Sequence, residues 1–132
     1  MYLLDTEICI YAMNGRHPRL REHLLSISPD RIFISSVTVG ELVYGAAKSH
    51  WGERTRDMMH AFLANFTILP FTEDDAVFFG LFRAQLAASG TPIGAYDVMI
   101  AAQGVARNLT VITHNTDAFS RIPELRLEDW AE

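Results

Sequence analysis

Short apolar runs alternate along this chain with stretches of helical periodicity, and that alternation constrains the fold most. Tyr2 to Leu4, the run RIFIS from Arg31 to Ser35 and the run LTVIT from Leu109 to Thr113 are too short for helices. They read as strands buried on both faces, the kind found in parallel sheets. Thr67 to Leu69 and Leu125 to Leu127 are further strand candidates. The helical segments lie between them. One runs from Thr6 to Met13 and stops at Asn14-Gly15; another starts at Pro18 and continues through Ile27. Ser28-Pro29-Asp30 is a turn. Val39, Leu42, Val43, Ala46 and Ala47 recur at helical spacing, and another helix covers Glu53 to Asn65. Glu73, Asp74 and Asp75 open a long helix that ends at Ser89-Gly90. After the loop Thr91-Pro92-Ile93-Gly94, a helix carrying Val98, Ala101, Ala102 and Val105 stops at Arg107-Asn108. Strand, helix, strand in this order predicts an α/β domain with a central parallel sheet, a single unit over residues 1–132.

Composition narrows the function classes. A chain of 132 residues is long enough to bury a core, and no apolar run approaches the roughly 18 residues of a membrane span. Asp5 and Glu7 interrupt the first apolar segment, so it does not read as a secretory leader. The lone Cys9 allows no internal disulfide, reads as a core residue and fits a reducing cytoplasm. A formal charge of −5 argues against general phosphate neutralisation. Lys48 is nevertheless the only lysine among 11 basic residues, and arginine suits bidentate phosphate contact.

The acids carry the chemistry. Ligands of such sheets bind beyond the carboxyl ends of the strands. Asp5 follows the first strand, Glu41 lies early in the helix after RIFIS, and Asp97 opens the helix before LTVIT. Asn115 and Asp117 follow LTVIT itself. Each acid also has a purely structural reading. Thr38 and Glu41 match a capping box, Asp97 a helix N-cap, and Asp5 a structural carboxylate. Glu73, Asp74 and Asp75 read as a solvated helix start, and His17, His23, His50, His60 and His114 as surface or core residues without metal-ligand spacing. The joint placement of Asp5, Glu41 and Asp97 favours a shared site. Clustered carboxylates repel each other, a divalent cation removes that cost, and oxygen-only ligands suit Mg²⁺ or Mn²⁺. No glycine-rich phosphate loop, histidine pair or nucleophile motif competes.

Four segments in order, LLDT with Asp5, SSVTVGELVYGA with Glu41, GTPIGAYDVMIAAQ with Asp97 and VITHNTDAFSRIPELRLEDW, resemble PIN-domain proteins, and more closely VapC-type toxins of bacterial toxin–antitoxin pairs. The resemblance implies a three-layer α/β/α domain acting as a Mg²⁺- or Mn²⁺-dependent endoribonuclease. It places Asp5, Glu41 and Asp97 on the family's recurrent acids, with Asp5 and Asp97 as metal ligands. Asn115 stands at a fourth position that is often Asp, with Asp117 two residues on; Thr6 and Thr113 support the carboxylates. Glu7 occupies a position that is usually Asn; it reads as favourable charge in the first helical turn, with a carboxylate at the pocket rim near the cation, partly compensating for Asn115, as the alternative. The tail RIPELRLEDW and the segment GTPIGAYD resemble toxins of enteric bacteria, which implies tRNA as substrate, the initiator tRNA anticodon stem-loop in particular. A VapB-type antitoxin partner, a homodimer, contact with operator DNA only through the antitoxin complex, no membrane and a cytoplasmic location are implied as well. The apolar segments IYAM and MMHAFLANF are candidates for the antitoxin groove. Two alternatives stand beside this reading: a phosphatase of the haloacid-dehalogenase type, whose Asp-x-Asp would here be Asp5-Thr6-Glu7, and a catalytically weakened interaction module.

Overall fold

A computed structural model describes residues 1–132. Five parallel strands form one sheet in the order β3-β2-β1-β4-β5. They are β1 (Tyr2–Leu4), β2 (Ile32–Ser35), β3 (Thr67–Leu69), β4 (Thr110–Ile112) and β5 (Arg126–Glu128). Seven helices cover the sheet: α1 (Thr6–Asn14), α2 (Pro18–Ser26), α3 (Ser36–Lys48), α4 (Gly52–Leu63), α5 (Glu73–Ala88), α6 (Ala95–Ala106) and α7 (Thr116–Phe119).

Strand alternation divides the core into two. Leu3 and Val111 pack on one face with Phe82, Leu86, Ile100, Ala101 and Phe119, drawn from α5, α6 and α7. Leu4, Ile32, Ile34 and Ile112 pack on the other with Ile8, Leu20, Leu42 and Met59, drawn from α1 to α4, and Trp130 closes that side. Both faces of the central strands are therefore apolar, which is why these runs are continuous and not alternating. The result is the expected α/β/α arrangement. Cys9 is buried as expected.

The differences from the sequence expectations are local. The turn at Ser28-Pro29-Asp30 is a short 3-10 helix over Pro29–Arg31. The last strand is shifted one residue on, and α7 was not expected at all. Asp75 is not part of a solvated helix start: it is fully buried, and Arg107 Nε and Nη2 each donate to its carboxylate at 3.3 Å. The same carboxylate accepts from Thr72 N at 2.8 Å while Thr72 Oγ1 caps Asp75 N, so the chain's capping box is here. Thr38 and Glu41 do not form one. Strand β2 runs straight into α3, so Ser35 is the N-cap and Thr38 already lies inside the helix. Likewise Gly94, not Asp97, caps α6, and Asp97 sits in its first turn.

Candidate active site

Register sets the floor of the site. Leu4 is level with Ile34 on one side and Ile112 on the other, so Asp5, Ser35 and Thr113 leave the sheet at one height. Strand β1 is flanked by strands that follow it in opposite directions through the sheet, which opens a crevice at its carboxyl end. Asp5 N is tied to Ile112 O at 3.0 Å. The Asp5 side chain caps α1, its Oδ1 accepting from Ile8 N at 2.8 Å. It is only 2% exposed. Burial pushes its carboxyl up to about 7, while the Thr113 hydroxyl and the Ile8 amide favour the charged form; Asp97 and Glu7 add repulsion.

Glu41 is held by the residue after Asp5. Thr6 Oγ1 donates to Glu41 Oε1 at 2.6 Å and stands 2.9 Å from the hydroxyl of buried Thr38. A threonine pair thus fixes one oxygen of Glu41 from two elements, α1 and α3. Asp97, half-buried at the start of α6, is raised by burial first and then by the charges of Glu41 and Glu7. The charge of Asp97 thus acts on Asp5, and that of Glu41 on Asp97.

The remaining expected residues divide. Thr6 and Thr113 stand beside the carboxylates. Asn115 and Asp117 are exposed, and neither side chain bonds to the group; Asn115 contributes only its backbone N–H, donated to Thr113 Oγ1 at 3.0 Å. Thr38 was recognised only as a capping residue, and its proximity to Thr6 depends on α1 and α3 packing together. Glu7 does occupy the first turn of α1 and is exposed, but its charge also acts on Asp5 and Asp97. Its role is wider than favourable charge at a helix start. The histidines are surface or packing groups as expected: His114 bonds Asp129 at 2.8 Å, and His17 stacks on Tyr11.

No three His, Cys, Asp or Glu side chains close around a point as a complete metal cage. The donor set still fits one kind of cation. It is all oxygen, it is burdened by mutual repulsion, and it is open to water on the Asp97 side. Mg²⁺ characteristically keeps several waters and takes one or two carboxylates. Asp5 and Asp97 are the pair that would hold it.

A crevice of carboxylates at the switch point of a five-stranded parallel sheet defines a class of nuclease folds, and the PIN-domain family model matches residues 2–125. The tRNA(fMet)-specific endonuclease VapC of Salmonella typhimurium is 40% identical over 129 residues, 98% of this chain and 97% of that protein. Ribonuclease VapC2 of Rickettsia felis is 37% identical over 132 residues, covering 98% of each. The DNA-bound VapBC complex of Salmonella typhimurium contains a chain that superposes with a TM-score of 0.92 at 40% identity, covering 98% of this chain and 97% of its own. The chain belongs to the VapC group of the PIN-domain family.

Proposed function

We propose that this protein is the toxin of a toxin–antitoxin pair, a divalent-metal-dependent endoribonuclease acting through Asp5, Glu41 and Asp97. The observation that carries the reading is the gathering of those three carboxylates at the carboxyl edge of β1, Asp5 bonded to the Ile8 amide, Glu41 to the Thr6 hydroxyl, and Asp97 within the field of Glu41. Asp5 and Asp97 would hold the cation, which when bound would supply a means of orienting water and of offsetting charge on a phosphoryl group. Thr6 and Thr38 keep Glu41 aimed at the same space, where its second oxygen is available to accept a proton from water. The water oxygen joins phosphorus as Glu41 takes its proton, the bond to the ribose 3′-oxygen breaks, and that oxygen takes a proton from solvent water and leaves as a hydroxyl. The products carry a 5′-phosphate and a 3′-hydroxyl. Asn115 lies at the rim, with its side chain free to meet substrate.

The name of the Salmonella relative specifies tRNA(fMet), and initiator tRNA is the substrate we assign here. The phosphatase alternative fails on family membership, and Lys48, which would have to serve it, lies at the end of α3 against Tyr44. The interaction-module alternative finds no support, because Asp5, Glu41 and Asp97 are all retained. For the partner, the solved relative is a VapBC complex. A groove of about 280 Å³ runs between α1, α3 and α4 and ends at Glu41. Its walls include Ile10 and Met13 from IYAM and Met58 and Met59 from MMHAFLANF, which supports placing the antitoxin there. A VapB-type chain lying in it reaches the carboxylates, and operator DNA is contacted through that chain. We assign the protein to the cytoplasm as a homodimer; no helix is long and apolar enough to cross a membrane.

The test is cleavage of total tRNA by the purified protein. Cleavage is expected with Mg²⁺ and not with excess EDTA, to collapse in Asp5→Asn and Asp97→Asn, and to leave 5′-phosphates. In Glu7→Asn the Mg²⁺ concentration for half-activity is expected to rise severalfold. Full activity in EDTA or in either Asp variant overturns the mechanism.

A further inference from the structure

A second cleft adjoins the carboxylates, and none of the roles assigned above uses it. It has a volume of about 680 Å³ and lies between the N-terminal half of α3 and the first turn of α6. Glu41 forms part of its wall, together with Gly40, Tyr44, Tyr96 and Met99. Tyr44 is three residues beyond Glu41 on the same helical face, and Tyr96 immediately precedes Asp97. Each of these two acids thus brings an exposed phenol ring into one space. Tyr44 is 64% exposed and Tyr96 59%, and neither ring stacks on another aromatic of the chain. Gly40 leaves the floor open, since a Cβ there would meet nothing within 4 Å. At the outer edge the Lys48 ammonium, the chain's only lysine side chain, lies 5.1 Å from the centre of the Tyr44 ring.

Two exposed aromatic faces, a thioether and a cation beside acids that would hold a metal form a footprint for a nucleotide. Bases stack on aromatic side chains without regard to sequence, and a nearby cation tracks the phosphate backbone. We propose that Tyr44 and Tyr96 stack the unpaired bases next to the scissile phosphate, with Lys48 on the neighbouring phosphate. This rests on the ribonuclease reading and adds to it how the substrate is held. A paired A-form helix offers no free base face, so the cleft selects a strand that is single or splayed open. The tyrosines are positioning residues: they set where the backbone lies over the carboxylates and take no part in bond breaking.

The experiment uses a short single-stranded oligoribonucleotide carrying one 2-aminopurine, bound to the protein with Asp97→Asn to prevent cleavage. Stacking is expected to quench the fluorophore. Tyr44→Leu or Tyr96→Leu is expected to abolish the quench and weaken Kd about tenfold, the lower end of base–aromatic stacking. Phe at the same positions is expected to restore both. With Asp97 intact, the Leu variants are expected to raise KM for tRNA far more than they lower kcat. Both side chains are exposed, so thermal unfolding should be unchanged and serves as the folding control. Leu variants that bind and quench like the parent overturn the proposal while leaving the ribonuclease reading intact. So does a Phe variant that loses as much as Leu. A change of oligomeric state in the Leu variants with RNA binding untouched also overturns it, and assigns the cleft to a second copy of the chain. A parent protein that neither binds nor cleaves RNA removes both readings.

Discussion

At the scale of the residue, Asp5 does two jobs that pull against each other. As an N-cap it accepts from Ile8 N, and as a carboxylate at 2% exposure it is held up to about 7 by burial. Its ordinary value is 3.8, so between about pH 4 and pH 7 the unfolded chain ionises while the folded one keeps its proton. Stability is therefore lost as pH rises through that window, and the full cost is present above it. Asn retains the acceptor for the cap but cannot ionise. Asp5→Asn is expected to be inactive yet to gain thermal stability over the parent as pH rises from 4 to 8 in EDTA. Melting curves across that range check this; a constant gap at every pH would show that the folded-state carboxyl is not raised.

At the scale of the element, the site depends on how closely α6 approaches the sheet. A Cβ on Gly104 would fall 2.6 Å from Val111 Cγ2 and 3.2 Å from Leu125 Cδ1. Helix α6 therefore rests directly on β4, and the start of that helix carries Asp97. Gly104→Ala must push the helix outward or displace a branched side chain. We expect it to destabilise by about 1–3 kcal/mol, the usual cost of overpacking, and to lower cleavage further than the stability loss accounts for. Denaturant unfolding with parallel activity measurement separates the two effects. Elements were also the scale at which the sequence was least legible. The strands β1, β2 and β4 were plain because a run buried on both faces carries no polar positions to confuse it. Helix α7 was not, since four residues hold barely one helical turn. The capping box was assigned to Thr38 and Glu41 because a Thr-x-x-Glu spacing looks the same one turn inside a helix as at its start. Asp75 read as solvated because its partner, Arg107, is 32 residues away. The carboxylate trio was legible because Asp5 and Glu41 closely follow strands and Asp97 opens the helix that leads into β4. The Thr6–Thr38 contact required knowing that α1 and α3 pack together.

At the scale of the whole molecule, Glu41 stands where two grooves meet. The one between α1, α3 and α4 is lined by apolar side chains that remain accessible, Ile10 at 41% and Met58 at 46%. The other is the tyrosine cleft on the far side of Glu41. Ile10→Asp and Met58→Asp are expected to prevent capture of a VapB-type antitoxin while leaving tRNA cleavage within about twofold, because a surface charge away from the carboxylates changes little else. Co-purification with a co-expressed antitoxin reads the first effect and a cleavage assay the second. Loss of cleavage in these variants would mean that the groove also holds RNA. On family grounds the same variants should arrest growth even when the antitoxin is present.

The position of β1 also governs the order in which a newly made chain acquires its activity. This first strand lies in the middle of the sheet, and its neighbour on one side, Thr110–Ile112, lies far along the chain from it. Until that segment leaves the ribosome, Asp5 N lacks the Ile112 carbonyl that anchors it, and Thr113 is not beside its carboxylate. A nascent chain therefore lacks the settled geometry of its first carboxylate until β4 has emerged and paired with β1.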